Sequence, residues 1–198
     1  MTGSDQLLPV LHALRVRGVA DAPEIARRTG LPEVGAEELL LDAEASGLVV
    51  RSPFAGPHHW SLTERGAAVG EALLAAQLDR AGARSVVEDV LTGFGPVNDL
   101  VTSACTRWQL TELGLTSQPA TLDGVLRDLA EAADALAAIE ARLVAHLPRF
   151  EGYQRRFTAA LGRARADPSW ITATDRDSAH RVWFELHEDL LATLGIER

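Results

Sequence analysis

Lysine is absent from this 198-residue chain, and all nineteen of its basic side chains are arginine. Without an ε-amine there is no Schiff-base nucleophile and no lysine for a phosphate-binding P-loop, so two large enzyme classes drop out. Cysteine is nearly absent too, and Cys105 alone forms neither an internal disulfide nor a cysteine-built zinc site. No apolar run approaches the ~18–20 residues that a membrane span requires, and the N-terminus lacks a basic segment followed by an apolar one. A cytoplasmic protein with no membrane association is therefore expected. The patterns His-Glu-x-x-His, Gly-x-Ser-x-Gly and Gly-x-Gly-x-x-Gly are missing, and no constellation supports catalysis, a metal site or a cofactor.

What is present is an ordinary globular composition, 46% hydrophobic and 24% charged, on a length that suits one domain or two small ones. The formal net charge of −9 bears directly on partners. Duplex DNA is held chiefly by cations meeting phosphates, so an acidic chain binds it only where its arginines gather on one surface.

Residues 19–66 organise the first part of the chain. Asp21 is placed to cap a helix with Pro23 in its first turn; Ile25 and Ala26 give that helix an apolar side, and Gly30 ends it. A second helix is expected from Pro32 to Ser46. Its Val34, Leu39, Leu40, Leu41, Ala43 and Ala45 are apolar, Glu33, Glu37, Glu38, Asp42 and Glu44 are left for solvent, and Gly47 closes it. Leu48 to Arg51 and His58 to Leu62 read as two strands of a hairpin, turned by Ser52 to Pro57 with its two prolines and a glycine. Thr63 caps a following helix to Arg80, Val19-Ala20 supplies a brief further strand, and Ser4 to Arg17 leads with Leu7, Leu8, Leu11 and Leu14 at helical spacing.

This order of helix, tight turn, helix, strand, wing, strand and helix resembles the MarR-like winged-helix regulators. In these the wing often runs into a Leu-Thr-x-x-Gly motif, which here is Leu62-Thr63-Glu64-Arg65-Gly66. The resemblance implies a winged helix-turn-helix over residues 1–80 and, as an expectation, a DNA-binding regulator.

Residues 81–198 are expected to form a helical bundle for dimerisation and ligand sensing, which makes the whole chain mostly α with a small β-hairpin wing. Arg84 to Leu91 and Val97 to Leu110 read as helical segments broken or kinked at Gly93-Phe94-Gly95-Pro96. After a loop from Leu113 to Pro119, Thr121 caps a long helix that Pro148 ends. Leu122, Leu129, Leu136 and Leu143 fall seven apart in it, with Leu126, Ala133, Ile139 and Leu147 between them. Such a seam serves either packing within the chain or a second copy. Phe150 to Ala166 is a further helix, with Phe150, Tyr153, Phe157, Leu161 and Ala164 inward and Arg149, Arg156 and Arg163 outward. Asp175 to Leu194 is the last helix, apolar around much of its circumference and so central to the bundle. The segments VNDLVTSACTRWQL, LPRFEGYQRRF and HRVWFELHEDLLATLG resemble the helical part that follows a winged helix in certain actinobacterial proteins, some of them associated with phosphoenolpyruvate-utilising dikinase domains. That resemblance implies two halves working as one unit, beside a phosphotransfer enzyme.

Three constellations are candidates for function. Arg27, Arg28, Arg51, His58 and His59 form a candidate rim for DNA phosphates, or else the arginines pair with Glu24, Glu33 and Glu37. The acidic second helix opposes base reading, because three carboxylates there face the backbone phosphates. Asn98, Thr102, Cys105 and Gln109 share a helical stripe beside Trp108, and His180, Trp183 and His187 lie on the last helix; these are candidate ligand contacts, or else a buried network. His180 and His187 stand two turns apart, ~10 Å along the axis, too far to share a metal. Asp177, Ser178 and His180 point in different directions and form no triad. The third constellation, Arg149, Arg156 and Arg163 with Arg155 and Arg165, is either a face paired with Asp175, Asp177, Glu185, Glu188 and Asp189 or a cradle for an anionic effector. The expected function is a homodimeric, ligand-responsive regulator that binds double-stranded DNA. The alternative is a winged helix used for protein contact.

Overall fold

The structure, a computed structural model, describes residues 3–52, 56 and 58–196. Among these residues it is mostly helical, with eight α-helices and one small antiparallel sheet. The chain divides into two compact units, residues 1–77 with 195–198, and residues 78–194.

In the first unit α1 (Gly3–Arg17) leads to strand β1 (Ala20–Asp21), then α2 (Ala22–Thr29), α3 (Glu33–Ala45), β2 (Val49–Arg51), β3 (His59–Leu62) and α4 (Glu64–Ala81). The caps act as the residue types dictate. The Asp21 carboxylate accepts the Glu24 N–H at 2.9 Å, and Gly30 takes the left-handed conformation that ends α2. The strands pair in the order β1-β3-β2, with Ala20 opposite Trp60 and Val49 opposite Leu62. Leu11, Leu14, Ile25, Ala36, Leu40, Val49 and Trp60 close the core beneath them. The turn between β2 and β3 falls largely on residues 53–55 and 57, outside the described residues.

The Leu62–Gly66 motif has a physical basis here. Thr63 Oγ1 donates to the Gly47 carbonyl at 2.8 Å and accepts the Gly66 N–H at 3.0 Å, while the Thr63 N–H donates to the Leu48 carbonyl. A Cβ on residue 66 would lie 1.8 Å from that Leu48 oxygen, so only glycine admits this approach of α4 to the end of α3.

In the second unit, α5 (Arg84–Glu112) is one continuous helix, so of the break or kink expected at residues 93–96 the break does not occur. The reason is packing. Val87, Val90, Phe94, Val97, Val101, Ala104 and Trp108 recur at alternating steps of three and four, so the core-facing seam runs straight through Pro96. Phe94 is buried and stacks on Trp183 at 4.8 Å, which outweighs the hydrogen bond a proline cannot donate. Next comes α6 (Leu122–Val144), capped by Thr121. Its Leu129, Leu136 and Leu143 are buried in this unit's own core, so the leucine seam is used within the chain.

The helix expected over residues 150–166 is instead a 3-10 turn (Pro148–Phe150) followed by α7 (Tyr153–Ala164). Gly152, at φ 101°, separates them, and the Glu140 carboxylate of α6 accepts the Gly152 and Gln154 N–H groups at the start of α7. The last helix, α8 (Ala179–Leu194), begins four residues later than expected. The Ser178 hydroxyl accepts the Arg181 N–H at 3.2 Å and so sets that start.

Candidate functional site

The five candidate DNA-contacting residues sit in unlike surroundings. Glu24 is within ion-pair reach of three arginines. Arg28 Nε is 2.5 Å and Arg17 Nε 3.4 Å from its Oε1, and Arg27 contacts Oε2. Arg28 is largely shielded by this pairing, whereas Arg27 keeps most of its side chain in solvent. Arg51 pairs with Glu44 at 3.3 Å and lies over the Trp60 ring at 4.7 Å, while the Trp60 indole N–H donates to the same Glu44 at 3.4 Å. The partners are thus Glu24 and Glu44, and the Glu33 and Glu37 side chains stand exposed on α3. His58 is exposed, and His59 is half-buried with Nδ1 lacking a hydrogen-bond partner among the described residues.

The outward surface of α3 carries Glu33, Val34, Glu37, Glu38, Leu41 and Asp42, all exposed, with Val34 at 69% and Leu41 at 43%. It contains no cation. Residues 1–77 carry six arginines against ten carboxylates, so the pairing described above leaves this unit net acidic.

In the second unit three of the candidate ligand contacts, Asn98, Trp183 and His187, gather around Phe94. The Trp183 indole N–H donates to Asn98 Oδ1 at 3.1 Å, which satisfies the indole. Thr102 is exposed with its hydroxyl on the Asn98 carbonyl, and Gln109 is exposed, while Cys105 is buried. At 100° per residue the stripe from Asn98 to Gln109 lies roughly 80° from the centre of the α5 apolar seam, so it follows the edge of the buried face. Burial alone pushes the Cys105 thiol up to about 12. Trp108 is half-buried, and its indole N–H has no acceptor among the described residues. His187 lies 5.3 Å from the Phe94 ring, and His180 is half-buried with its pKa lowered by desolvation. Phe94, which joins Trp183 and His187, was hidden by the proline and glycines beside it; the three-four spacing through residue 96 is the signal that exposes it.

The arginine stripe is divided. Arg149 and Arg156 pair with Asp177, Glu185 and Asp189 of the expected acidic set, but they turn inward to do so instead of outward. Arg149 pairs with the buried Asp189 and donates to Thr193. Arg156 pairs with Asp177 at 3.0 Å and with the buried Glu185, which also faces Arg181 at 3.4 Å. The Tyr153 hydroxyl donates to Asp189 at 3.0 Å, and burial with the nearby Asp189 and Glu185 charges holds its pKa well above the ordinary value. Burial opposes charge on Arg156, yet hydrogen bonds and attraction from Asp177 and Glu185 hold its pKa above the usual arginine value. Through these pairs the buried carboxylates of α8 are held by guanidinium groups from α7 and from the 3-10 turn before it. Arg155, Arg163 and Arg165 remain exposed, with Arg163 stacked over Trp170 at 4.5 Å.

No group of three or more His, Cys, Asp or Glu side chains is placed to hold a metal among the described residues, and none of their helices is long and apolar enough to cross a membrane. Comparison with protein-family models, with curated proteins and with solved structures finds no match to this chain.

Proposed function

We propose that residues 1–77 form a winged helix-turn-helix and that the protein is a dimeric transcription regulator whose helical unit responds to a small-molecule effector. The observation that carries this is the element order α1-β1-α2-α3-β2-β3-α4 with the sheet paired β1-β3-β2, which leaves one long face of α3 uncovered beside a two-stranded wing. A helix standing free in this way is what a major groove accepts. Contact with DNA then rests on phosphates met by Arg27 and by His58 on the wing, since Arg28 and Arg51 are tied to Glu24 and Glu44. In a dimer an effector shifts the population between two spacings of the winged units, so half-sites one helical turn apart are gripped or released.

The test is selection of genomic fragments by the purified chain at low and at near-physiological salt. Enrichment of a few loci with inverted repeats at the higher salt, weakened by Arg27→Ala, supports the regulator. Binding that is unselective and vanishes with salt overturns it.

The acidic, partly apolar surface of α3 favours a second reading, in which the winged unit docks a basic protein segment of a phosphotransfer enzyme. If tight DNA binding emerges only after Glu37→Gln and Glu38→Gln, the native carboxylates repel phosphate and this second reading stands.

A further inference from the structure

Two exposed helix faces of this chain carry opposite charge, and neither is neutralised from within. On α3 the carboxylates of Glu33, Glu37, Glu38 and Asp42 are exposed and form no ion pair among the described residues. On α7 the exposed arginines are Arg155, Arg163 and Arg165, and they too form no ion pair among the described residues. Residues 152–166 contain no acid, in a chain of net charge −9. The carboxylates at the two ends of α7 are engaged elsewhere or lie beyond it. Glu140 of α6 is held by the Gly152 and Gln154 N–H groups, Glu151 precedes Gly152, and Asp167 accepts the Ser169 N–H and stands 3.5 Å from Arg176.

The two faces also match in relief. At about 100° per residue Val34 and Leu41 fall on one line along α3, with Glu33 and Glu37 to one side of it and Glu38 and Asp42 to the other. Val34 is 69% exposed and Leu41 43%, so the middle of the acidic face is an apolar ridge. Along α7 the middle line is Arg155, Ala159 and Gly162, with Arg163 on one flank and Arg165, still in helical conformation at the C-cap, on the other. Ala159 and Gly162 are exposed, and a Cβ added at Gly162 would meet nothing within 4 Å, so this middle is an open hollow. A ridge edged by carboxylates on both sides is thus the counterpart of a small-residue hollow edged by guanidinium groups.

Both halves of the match belong to the same chain, so any solution of the protein presents each face with its complement. An α3 face against its own image sets carboxylate on carboxylate, and an α7 face against its own image sets arginine on arginine. The contact that charge permits is therefore heterologous, with one copy's α3 on another copy's α7.

We propose that α3 of one copy docks on the outer face of α7 of a second copy, with Val34 and Leu41 over Ala159 and Gly162 and the rows of carboxylates meeting Arg155, Arg163 and Arg165. The basic segment of the second reading above is then this chain's own α7; the proposal deepens that reading and rests on it. The contact covers the α3 face that a major groove would take, so self-association and DNA binding through α3 exclude each other.

Sedimentation velocity across a concentration series at low salt tests it, comparing the wild type with Glu37→Arg/Glu38→Arg and with Arg163→Glu/Arg165→Glu. All four positions are exposed, and a thermal midpoint near the wild type's shows that a variant has folded. The wild type is expected to self-associate, and each variant alone to do so about tenfold or more weakly. An equimolar mixture of the two variants is expected to associate again, because each offers the face that the other has kept. A wild type that stays monomeric at every concentration overturns the contact, as does a self-association that either double substitution leaves unchanged or that the mixture does not restore. An oligoarginine peptide separates this failure from failure of the reading beneath it. If the peptide binds the wild type and not Glu37→Arg/Glu38→Arg while the protein stays monomeric, α3 takes its basic segment from another protein and this contact alone falls; if it binds neither, both fall.

Discussion

Single residues in this chain carry weight where geometry leaves no alternative. Gly66 is the sharpest case, because any side chain there drives its Cβ into the Leu48 carbonyl oxygen at 1.8 Å, and that oxygen is backbone that cannot rotate away. Gly66→Ala is expected to cost at least the roughly 1–3 kcal/mol of an overpacked site, read as a lower denaturation midpoint with an unchanged slope. Gly35, whose nearest neighbour to an added Cβ is 3.9 Å away, serves as the control. Cys105 is the converse case, a residue defined by what it cannot reach. Its thiol is buried, so a thiol reagent at mildly alkaline pH should leave it unmodified until denaturant opens the fold. Labelling in the native state at the rate of a free thiol would show that α5 opens locally.

Among the elements, α5 separates what local sequence rules capture from what they miss. Pro96 and its flanking glycines read as an interruption, and by local propensity they are one. The helix persists because Phe94, Val97 and Val101 keep the seam in phase on both sides of the proline. Pro96→Ala should therefore leave helicity unchanged and raise the thermal midpoint, whereas Phe94→Ala should destabilise the second unit by about 3–5 kcal/mol. A loss of helicity in Pro96→Ala would mean that the proline sets the path of α5. The first unit was far more legible. Asp21, Gly30, Gly47 and Thr63 mark helix ends by chemistry that acts within a few residues, and all four act where the sequence placed them. The start of α7 was not legible, since it depends on Glu140 reaching across from α6, a partner twelve to fourteen positions away. The candidate site shares this limit. Helical spacing set Asn98 and Trp183 each on its own helix face, but it could not show that the Trp183 indole would donate to Asn98. It did name Asp177, Glu185 and Asp189 among the partners of the arginine stripe, and what it missed is that Arg149 and Arg156 turn inward to reach them.

For the whole molecule, the buried titratable groups set the pH range over which the fold is most stable. His180 has its pKa lowered from 6.5 by burial, so the folded chain holds it neutral while the unfolded chain takes up a proton. Its contribution is present above pH ~6.5 and is lost as pH falls through the lowered value. Cys105 works in the opposite direction. Its pKa rises from 9.0 to about 12 on burial, so the unfolded chain releases the proton first, and stability declines as pH climbs from 9.0 toward 12. Tyr153, held well above its ordinary value of 10.0, steepens that same alkaline limb. The unfolding free energy should accordingly form a plateau between about pH 6.5 and 9 and fall on either side. Chemical denaturation across pH 5 to 11 is the measurement. His180→Gln should flatten the upper part of the acid limb, where carboxylates have not yet begun to titrate, and Cys105→Ala should flatten the early part of the alkaline limb before tyrosine contributes. A wild-type curve whose alkaline slope is unchanged by Cys105→Ala would mean that water reaches residue 105 in the folded chain, and with it that the α5 seam is looser than its spacing implies.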